Sequence, residues 1–304
     1  MSGRDSLPKW PTLHFERQLN GRVCGIDEAG CAPLAGPVVA AAVVLPGRSK
    51  PRQLRGLTDS KLLSRAERER YYDIILQIAE VGIGLATVEE IEQFNIFHAD
   101  MLAMRRAFET LDSRPEFALI DGRATPDLPC SAKAMVKGDR RSLSIAAASV
   151  VAKVVRDRLM RKLAVQFPDY GWQTNVGYGT DTHYLGLLRK GPTEHHRRGF
   201  APLNSIFGPK GPARERFKFL QIDGRPDLNG LELFDLRRDL HAVFEGRGHH
   251  VGMLKNIRGH WTFQAMGYDE QHRPLPLAGP CRDHHGRTLE RPDAAILVRL
   301  FSES

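Results

Sequence analysis

The stretch that decides the fold is Arg22-Val23-Cys24-Gly25-Ile26-Asp27-Glu28-Ala29-Gly30. Its first part, residues 22–27, predicts a β-strand, because a short apolar run bounded by turn residues is typical of strands. The strand ends on two adjacent acids, Asp27 and Glu28, and Gly30 follows them. Acids at the end of a strand are often ordinary turn residues. A functional site therefore requires that the fold bring further acids to the same place.

Strands and helices alternate outward from this stretch. The apolar run 37–45 predicts a second, buried strand, and residues 81–88 predict a third. Ser64 is a suitable N-cap for a helix over residues 65–80. The remaining predicted elements are a helix at 89–111 with apolar residues at Ile91, Phe94, Met101, Met104 and Phe108, strands at 117–121 and 133–136, and a helix at 143–167. This order predicts an α/β fold, a mixed sheet flanked by helices.

Two further acids are expected at the same edge of this sheet. Asp121 ends the strand at 117–121, and Asp139 precedes the long helix. If the first and fourth strands are adjacent and parallel, Asp27 and Asp121 meet, since sites in α/β sheets form at the carboxyl ends of strands. Converging carboxylates repel one another, and divalent cations relieve the repulsion. Oxygen ligands suit Mg²⁺ or Mn²⁺, and two such ions about 4 Å apart can hydrolyse a phosphodiester.

Several blocks in order resemble type 2 ribonuclease H, the ribonuclease HII family. They are Gly25–Gly30 with Pro33-Leu34-Ala35-Gly36-Pro37, Asp59-Ser60-Lys61-Leu62-Leu63-Ser64, Asp121-Gly122, Lys137-Gly138-Asp139, Ser144–Asp157, Gly177-Tyr178-Gly179-Thr180, and His196-Arg197-Arg198 with Phe200-Ala201-Pro202. The blocks extend over about residues 21–203. The resemblance implies an RNase H-like fold and an endoribonuclease that hydrolyses the RNA strand of RNA–DNA hybrids, leaving 5′-phosphate and 3′-hydroxyl ends.

The same resemblance assigns roles to individual residues. The implied metal-binding and catalytic acids are Asp27, Glu28, Asp121 and Asp139, holding two Mg²⁺ or Mn²⁺ ions with substrate. The implied substrate-binding residues are Gly30, Cys31, Ala32, Lys61, Ser149, Lys153, Tyr178, His183, Arg197 and Arg198. Among them Tyr178 would stack near the ribonucleotide and contact the 2′-hydroxyl that distinguishes RNA from DNA.

Two groups of polar residues allow more than one interpretation. Ser149, Lys153 and Asp157 are four apart and share a helix face. Asp157 is either the partner of Lys153 in a surface ion pair or a supporting residue of the site, and the resemblance favours support. His183 and the run His196–Arg198 form a basic cluster suited to backbone phosphates, although such residues are more often simply solvated.

Composition limits the class of protein and its location. The chain of 304 residues carries a net charge of +8, which indicates either a solvated basic surface or a nucleic-acid partner. Its four cysteines have no paired spacing, which favours a reducing compartment and argues against a disulfide framework. The sequence shows no apolar run of 18 residues and no signal-peptide core at its start. We therefore expect a cytoplasmic, monomeric protein without a membrane partner.

The resemblance breaks at one loop. The family usually follows its Asp-Glu-Ala-Gly with Arg-Gly-Pro, where this chain has Cys31-Ala32-Pro33. A cysteine cannot make the bidentate phosphate contact of an arginine, and alanine adds a Cβ where backbone approaches closely. Gly199 also stands where a serine is common. An alternative function is thus an RNA–DNA hybrid-binding module of the same fold with altered or lost junction cleavage, and a third is a nuclease for another structured nucleic acid.

The chain is expected to contain two domains. Residues 1–20 are a lead-in, 21–207 the nuclease domain, 208–212 a Gly/Pro hinge, and 213–304 a small α+β domain of unassigned role. In this last domain the pattern predicts strands at 217–222, 261–266 and 294–301 and a helix at 231–245. Cys281, His284 and His285 are more typical of a loop than of a zinc site. The last domain also contains several basic residues near a tryptophan, which form either a basic nucleic-acid surface or a solvated face with one core tryptophan. They are Arg237, Arg238, Lys255, Arg258, His260 and Trp261.

Restoring the family residues in the altered loop tests its role. A well-made charged contact to phosphate contributes about 1.5–3 kcal/mol, which is a factor of about 10 to 100 in rate. We expect Cys31→Arg with Ala32→Gly to raise cleavage at a single embedded ribonucleotide by that factor relative to cleavage of a continuous hybrid. The unmodified protein cutting single ribonucleotides with strong preference, unaffected by the change, would contradict this expectation.

Overall fold

The computed structural model describes residues 10–47, 51–201, 203, 218–219, 231–245, 249–268, 274–276 and 281–302. The chain divides into two compact units. The N-terminal unit comprises residues 1–168 and 172–178, and the C-terminal unit comprises residues 169–171 and 179–304. The predicted hinge at 208–212 lies outside the described residues.

A five-stranded mixed sheet forms the centre of the N-terminal unit. Its strands are β1 (Val23–Ala29), β2 (Val38–Val44), β3 (Glu80–Ala86), β4 (Phe117–Asp121) and β5 (Ser131–Met135), in the order β3-β2-β1-β4-β5. The strands β1, β2 and β3 are antiparallel, whereas β4 runs parallel to both β1 and β5. The register pairs Ile26 with Ile120, so Asp27 and Asp121 follow side by side, as the sequence predicted.

Helices cover both faces of this sheet. They are α1 (His14–Arg17), α2 (Arg65–Ile78), α3 (Val88–Glu109), α4 (Leu143–Gln166) and α5 (Trp172–Asn175). The helix α2 begins at the capping box of Ser64 and Glu67, in agreement with the predicted N-cap. All seven residues of β2 are buried, because α4 packs on β1 and β2 while α3 packs on β3 and β2.

The helix α3 contains a break that the apolar spacing did not predict. Asn95 has φ 67° and ψ 168°, and its side-chain oxygen accepts hydrogen bonds from the backbone N–H groups of Phe97 and His98. These contacts start a new helical turn in the manner of an N-cap. Phe94, one of the apolar residues of the predicted helix, directly precedes the break, and its side chain is 42% exposed. After the break, Asp100 follows the buried Ala99.

The C-terminal unit contains an antiparallel sheet and two described helices. The helices are α6 (Asp181–Lys190) and α7 (Ala294–Ser302), and the strands are β6 (Lys218–Phe219), β7 (Glu232–Arg237), β8 (Leu240–Phe244), β9 (His249–Ile257), β10 (His260–Tyr268), β11 (Pro274–Pro276) and β12 (Thr288–Leu289). The strand order among the described residues is β11-β10-β9-β8-β7, with β12 paired to β10 and β6 paired in parallel to β9. The strand predicted at 261–266 lies within β10.

Two predicted elements of this unit have the wrong type. The predicted helix at 231–245 is the hairpin of β7 and β8, and its five-residue strand β8 is buried throughout, so it lacks the alternation that marks a half-buried strand. The predicted strand at 294–301 is the helix α7. Its buried residues Leu297 and Phe301 are four apart, which is helical spacing. Of the strand predicted at 217–222, the structure describes only β6.

The close packing of β1 against α4 can be tested at Gly25. A Cβ added there would lie 2.2 Å from the backbone carbon of Ser144 and 2.3 Å from the backbone nitrogen of Ile145. We expect Gly25→Ala to lower the free energy of unfolding by about 1–3 kcal/mol or more, because backbone must move. Gly199→Ala is the matched control, since nothing lies within 4 Å of its added Cβ. Equal urea midpoints for the two variants would show that the packing at β1 is loose.

Candidate metal centre

Four carboxylates converge at one edge of the N-terminal sheet. Asp27 and Glu28 stand near the carboxyl end of β1, Asp121 ends β4, and Asp139 lies in the turn between β5 and α4. They are close enough that their charges affect one another, because Glu28, Asp121 and Asp139 all raise the pKa of Asp27. The four acids predicted from the sequence thus lie within range of one another's charges, and their role as metal ligands stays a prediction.

Backbone and hydroxyl groups hold these carboxylates in place. Asp121 Oδ1 accepts a 2.6 Å hydrogen bond from the backbone N–H of Gly138. The residue before it, Lys137, has a left-handed conformation with φ 55°, which turns the chain so that this amide faces β4. The carboxylate of Asp27 accepts a hydrogen bond from the backbone N–H of Glu28 at 2.8 Å, and the neighbouring Ser149 hydroxyl partly offsets the rise in its pKa. The orientation of the site is therefore built into the fold.

The electrostatics of the cluster indicate a missing positive charge. Burial, and next the charges of Glu28 and Asp121, hold the pKa of Asp27 well above its ordinary value. Burial followed by the charges of Asp59 and Asp121 raises the pKa of Asp139 to about 7. Such shifts mean that the fold disfavours the ionised forms. A cluster of carboxylate oxygens that lacks compensating positive charge fits hard divalent cations such as Mg²⁺ and Mn²⁺.

A fifth acid belongs to this cluster, and the sequence reasoning missed it. Asp100 projects from α3, and burial followed by the charges of Glu28 and Asp121 raises its pKa to about 8. Its Oδ1 is enclosed without a hydrogen-bond partner among the described residues. One signal was available in the sequence, since Asp100 is spaced three and four residues from the apolar Ala103 and Met104. An acid within an apolar stripe is a candidate functional residue.

Among the substrate-binding residues that the resemblance implies, Lys61 is a cation whose charge interacts with the acids. It follows Asp59, whose side chain accepts a hydrogen bond from the backbone N–H of Lys61 at 2.9 Å. Burial alone would lower the pKa of Lys61, but the charges of Asp59, Asp27 and Asp139 raise it. The side chain is exposed, so its ammonium group can reach a ligand that approaches the acids.

A buried arginine, also missed from the sequence, joins the loops beside the acids. The guanidinium of Arg156 donates hydrogen bonds to the carbonyl oxygens of Ala35 at 2.9 Å, Pro37 at 3.1 Å and Val176 at 2.8 Å. Gly30 has φ +109°, and a Cβ added there would lie 2.2 Å from Arg156 Nε. Arg156 therefore requires glycine at this position and positions the loop before β2 against the loop that carries Tyr178.

Two charged residues of α4, Lys153 and Asp157, form a chain of contacts to Tyr178. Lys153 Nζ lies 2.7 Å from Asp157 Oδ1 and 5.5 Å from the centroid of the Tyr178 ring. Asp157 is buried, so the pair is not a fully solvated surface ion pair. Tyr178 itself is 39% exposed, which leaves its ring accessible. Asp157 thus orients the lysine, and the lysine contacts the tyrosine.

The altered loop places its cysteine against one of the acids. Cys31 is partly buried, and its Sγ lies 3.8 Å from Glu28 Oε1. The side chain of Ala32 is exposed. Ser149, in contrast, is buried and donates to the Ser60 hydroxyl at 3.0 Å, so it supports the acids from within the fold.

The predicted basic cluster is only partly exposed, and it lies in the C-terminal unit. His183 and Arg197 are fully buried, and His196 is 1% exposed. His183 Nε2 lies 3.0 Å from His196 Nε2, and burial followed by the charge of His183 lowers the pKa of His196 to about 2. These three side chains pack inside the fold and cannot contact phosphates there. Arg198 is the member whose side chain is exposed.

Three other predicted candidates of the C-terminal unit, Trp261, His284 and His285, make structural contacts. Trp261 is buried and packs on the ring of His241 at 4.6 Å, as a core tryptophan. His285 Nδ1 accepts a hydrogen bond from the backbone N–H of Ala265, and His284 stacks on Phe301. Within the described part of the chain, these histidines and Cys281 do not form a cluster of potential metal ligands. No described helix has the length and apolar character needed to cross a membrane.

Comparisons with known proteins agree with the geometry of the N-terminal unit. Residues 24–202 match the family model described as Ribonuclease HII. The chain is 53% identical over 201 residues to Ribonuclease HII of Granulibacter bethesdensis, covering 64% of this chain and 91% of that protein. It is 54% identical over 197 residues to Ribonuclease HII of Jannaschia sp., covering 64% and 98% respectively.

A solved structure shows the same fold. The crystal structure of ribonuclease H2 from Pyrococcus horikoshii superposes with a TM-score of 0.53 and 25% sequence identity. The superposition covers 61% of this chain and 96% of that chain.

The raised pKa values of the acids predict a pH-dependent stability. Asp139 titrates near 3.8 ordinarily and at about 7 in the fold, so between these values the folded metal-free protein holds more protons than the unfolded chain. Its stability therefore falls as pH rises through this window. Since cations bind the ionised carboxylates, we expect Mg²⁺ to raise the Tm more at pH 8 than at pH 5. Thermal melts with and without chelator measure this, and an Mg²⁺ shift that is equal at both pH values would contradict it.

Proposed function

Since the chain belongs to the ribonuclease HII family, we propose that it is a metal-dependent endoribonuclease that hydrolyses the RNA strand of RNA–DNA hybrids and leaves 5′-phosphate and 3′-hydroxyl ends. The observation that carries this function is the convergence of Asp27, Glu28, Asp121 and Asp139 at the ends of adjacent strands. The relatives that carry the name Ribonuclease HII are matched over more than nine-tenths of their length.

The four acids are proposed to hold two Mg²⁺ or Mn²⁺ ions when substrate is present. Divalent cations at such a site supply a reactive hydroxide from water and stabilise the leaving oxygen of the phosphodiester. Asp27 and Asp121 are already oriented by the backbone amides of Glu28 and Gly138. Because these bonds exist before a cation binds, the carboxylates need little rearrangement to act as ligands.

Recognition of RNA is proposed to depend on the exposed ring of Tyr178. A ring on the surface beside the acids can stack on a ribose or base and place its hydroxyl at the 2′-OH. Lys153 is held against this ring by the buried Asp157. Lys61 and Arg198 are exposed cations that can contact backbone phosphates. Such contacts position the protein on the duplex but do not distinguish one base sequence from another.

The loop Gly30-Cys31-Ala32 is proposed to favour continuous hybrids over single embedded ribonucleotides. The partly buried thiol of Cys31 lies against Glu28 and carries no positive charge with which to bind a phosphate. The net charge of +8 favours a nucleic-acid partner in general. A monomer acting in the cytoplasm, where cysteine thiols stay reduced, is the simplest setting for this activity.

The assignment of the metal ligands is tested by Asp139→Asn. The change keeps the shape of the side chain and removes the ligand charge, so we expect Mg²⁺-dependent cleavage to fall by at least about a hundredfold while hybrid binding changes little. Asp127→Asn is a matched control, because its side chain is 95% exposed. Cleavage is measured on a long RNA–DNA hybrid, a duplex with one ribonucleotide and duplex DNA. Full activity of the Asp139 variant, or equal cutting of duplex DNA, would refute the proposal.

The domain boundary at 208–212 is proposed to separate an independently active nuclease from the last domain. A chain that ends at Gly211 is expected to fold and to keep metal-dependent cleavage, since domain interfaces are often modest and polar. It loses the ion pair of Asp181 and Lys255, whose atoms are 2.8 Å apart. A partly exposed pair of this kind contributes at most about 1 kcal/mol.

The full-length variant Lys255→Met separates this single contact from loss of the whole domain. Circular dichroism and cleavage of a hybrid are compared for the truncated chain, the variant and the parent. An unfolded truncated chain beside a folded Lys255→Met protein would show that residues after 212 belong to the same cooperative core and that the boundary is wrong.

A further inference from the structure

A set of three potential metal ligands consists of Glu28, one of the four proposed ones, and two further residues. They are a carboxylate oxygen of Glu28, the Sγ of Cys31 and a carboxylate oxygen of Asp100, and all three atoms lie within 4.8 Å of one another. Cys31 lies three residues after Glu28, whereas Asp100 lies in α3. Two separate segments of the N-terminal unit thus contribute to one cluster, and two of its members play no part in the proposed cleavage mechanism.

Asp100 provides independent support for a ligand at this place. Its Oδ1 is enclosed, without a hydrogen-bond partner among the described residues. An enclosed acceptor without a partner is unfavourable by roughly 1–3 kcal/mol, and such atoms are rare unless an ion or ordered water completes them. The restart of α3 at Asn95 gives Asp100 this position. A cation between Asp100 and its neighbours would supply the partner.

The spacing of the three atoms suits a small tetrahedral ion. Zinc binds thiolate sulfur at about 2.3 Å and carboxylate oxygen at about 2.0–2.2 Å, which gives a sulfur–oxygen separation of roughly 3.6 Å in a tetrahedron. The separation of Cys31 Sγ and Glu28 Oε1 is 3.8 Å. All three ligand atoms lie within 4.8 Å of one another, and the three side chains are partly exposed, so side-chain rotation can adjust their separations to those of a bound ion.

The donor set selects a different cation from the four-acid site. Mg²⁺ and Mn²⁺ prefer oxygen ligands, whereas a thiolate favours Zn²⁺ and its neighbours in the transition series. Three protein ligands leave a fourth position for water. The thiolate and two carboxylates also concentrate negative charge, which a divalent ion offsets.

We propose that Glu28, Cys31 and Asp100 form a binding site for Zn²⁺ and related borderline cations, which shares Glu28 with the cleavage site. Sharing has a functional consequence. A Glu28 carboxylate engaged by Zn²⁺ is withdrawn from the Mg²⁺ or Mn²⁺ ions, so Zn²⁺ inhibits cleavage by competing for one ligand. The inhibition rests on the proposed function, whereas the binding site itself does not.

Binding is tested on the full-length protein with Co²⁺ as a spectroscopic stand-in for Zn²⁺. A thiolate bound to Co²⁺ gives a charge-transfer band in the near ultraviolet, which oxygen ligands do not give. We expect one equivalent of Co²⁺ to saturate this band and one equivalent of Zn²⁺ to remove it. Cys31→Ser and Cys31→Ala should abolish the band, and Asp100→Asn should raise the Kd for Co²⁺ by at least about tenfold.

Two controls make the assignment specific. Cys130→Ser changes another partly buried thiol and should leave the band unchanged. Asp139→Asn removes a ligand of the proposed cleavage site only, so it should keep the band. Absence of the band at saturating Co²⁺, or its persistence in both Cys31 variants with melting curves like the parent, would overturn the site.

Inhibition provides the second readout. In Mg²⁺-dependent cleavage of a long hybrid, the Zn²⁺ concentration for half-inhibition should rise by at least about tenfold in Cys31→Ser relative to that variant's own Zn²⁺-free rate. Equal half-inhibition in parent and variant would refute competition through Glu28. A protein that shows the Co²⁺ band but no Mg²⁺-dependent cleavage would refute the proposed function and leave this site standing. Cleavage without the Co²⁺ band would refute this site and leave the proposed function standing.

Discussion

The parallel pairing of β1 with β4 creates the constraint to which the rest of the N-terminal unit responds. Because the register pairs Ile26 with Ile120, the next residues on the two strands are Asp27 and Asp121, and their carboxylates must share one small region. Burial and mutual repulsion raise the pKa of Asp27 well above its ordinary value. Without a cation this arrangement is unfavourable. The fold tolerates it because α4 and α3 bury the apolar sheet on both faces, and that burial supplies the stabilisation that the acids oppose.

The polar contacts around the acids orient them without neutralising them. Gly138 donates a backbone hydrogen bond to Asp121, and the Ser149 hydroxyl contacts Asp27, whereas the fully buried guanidinium of Arg156 is directed to carbonyl oxygens of two loops. A buried arginine beside an acidic site would be expected to form ion pairs. Its use on backbone carbonyls instead positions the loops and leaves the carboxyl groups without an ion-pair partner from Arg156. Asp157 likewise orients another side chain, since its carboxylate accepts a hydrogen bond from Lys153.

The sequence predicted the N-terminal unit well because its strongest signals are local. Apolar runs gave β1 to β4, Ser64 gave the start of α2, and the position of acids after strands gave Asp27 and Asp121. Asp100 was missed because the backbone break at Asn95 changes which residues of the second half of α3 face the sheet. A helical pattern that is continued across Asn95 without the break does not place Asp100 on the buried side. The burial of His183 and Arg197 depends on long-range packing that local pattern does not contain. In the C-terminal unit, short apolar runs fit either helix or strand, and this ambiguity produced both errors, at 231–245 and at 294–301.

The altered loop and Asp100 change the charge of the site in the same direction. Where the family usually has an arginine, Cys31 brings no positive charge near Glu28, and Asp100 adds a carboxyl group on another segment, which becomes negative once its proton is lost. The chain as a whole carries a net charge of +8, yet the candidate metal centre contains one acid more than the four proposed ligands. A polyanionic substrate is attracted by the basic surface and repelled by this cluster, so productive binding depends on cations more strongly than in a site with the arginine. We therefore expect cation occupancy, more than direct contact with the loop, to control access of a substrate phosphate to this centre.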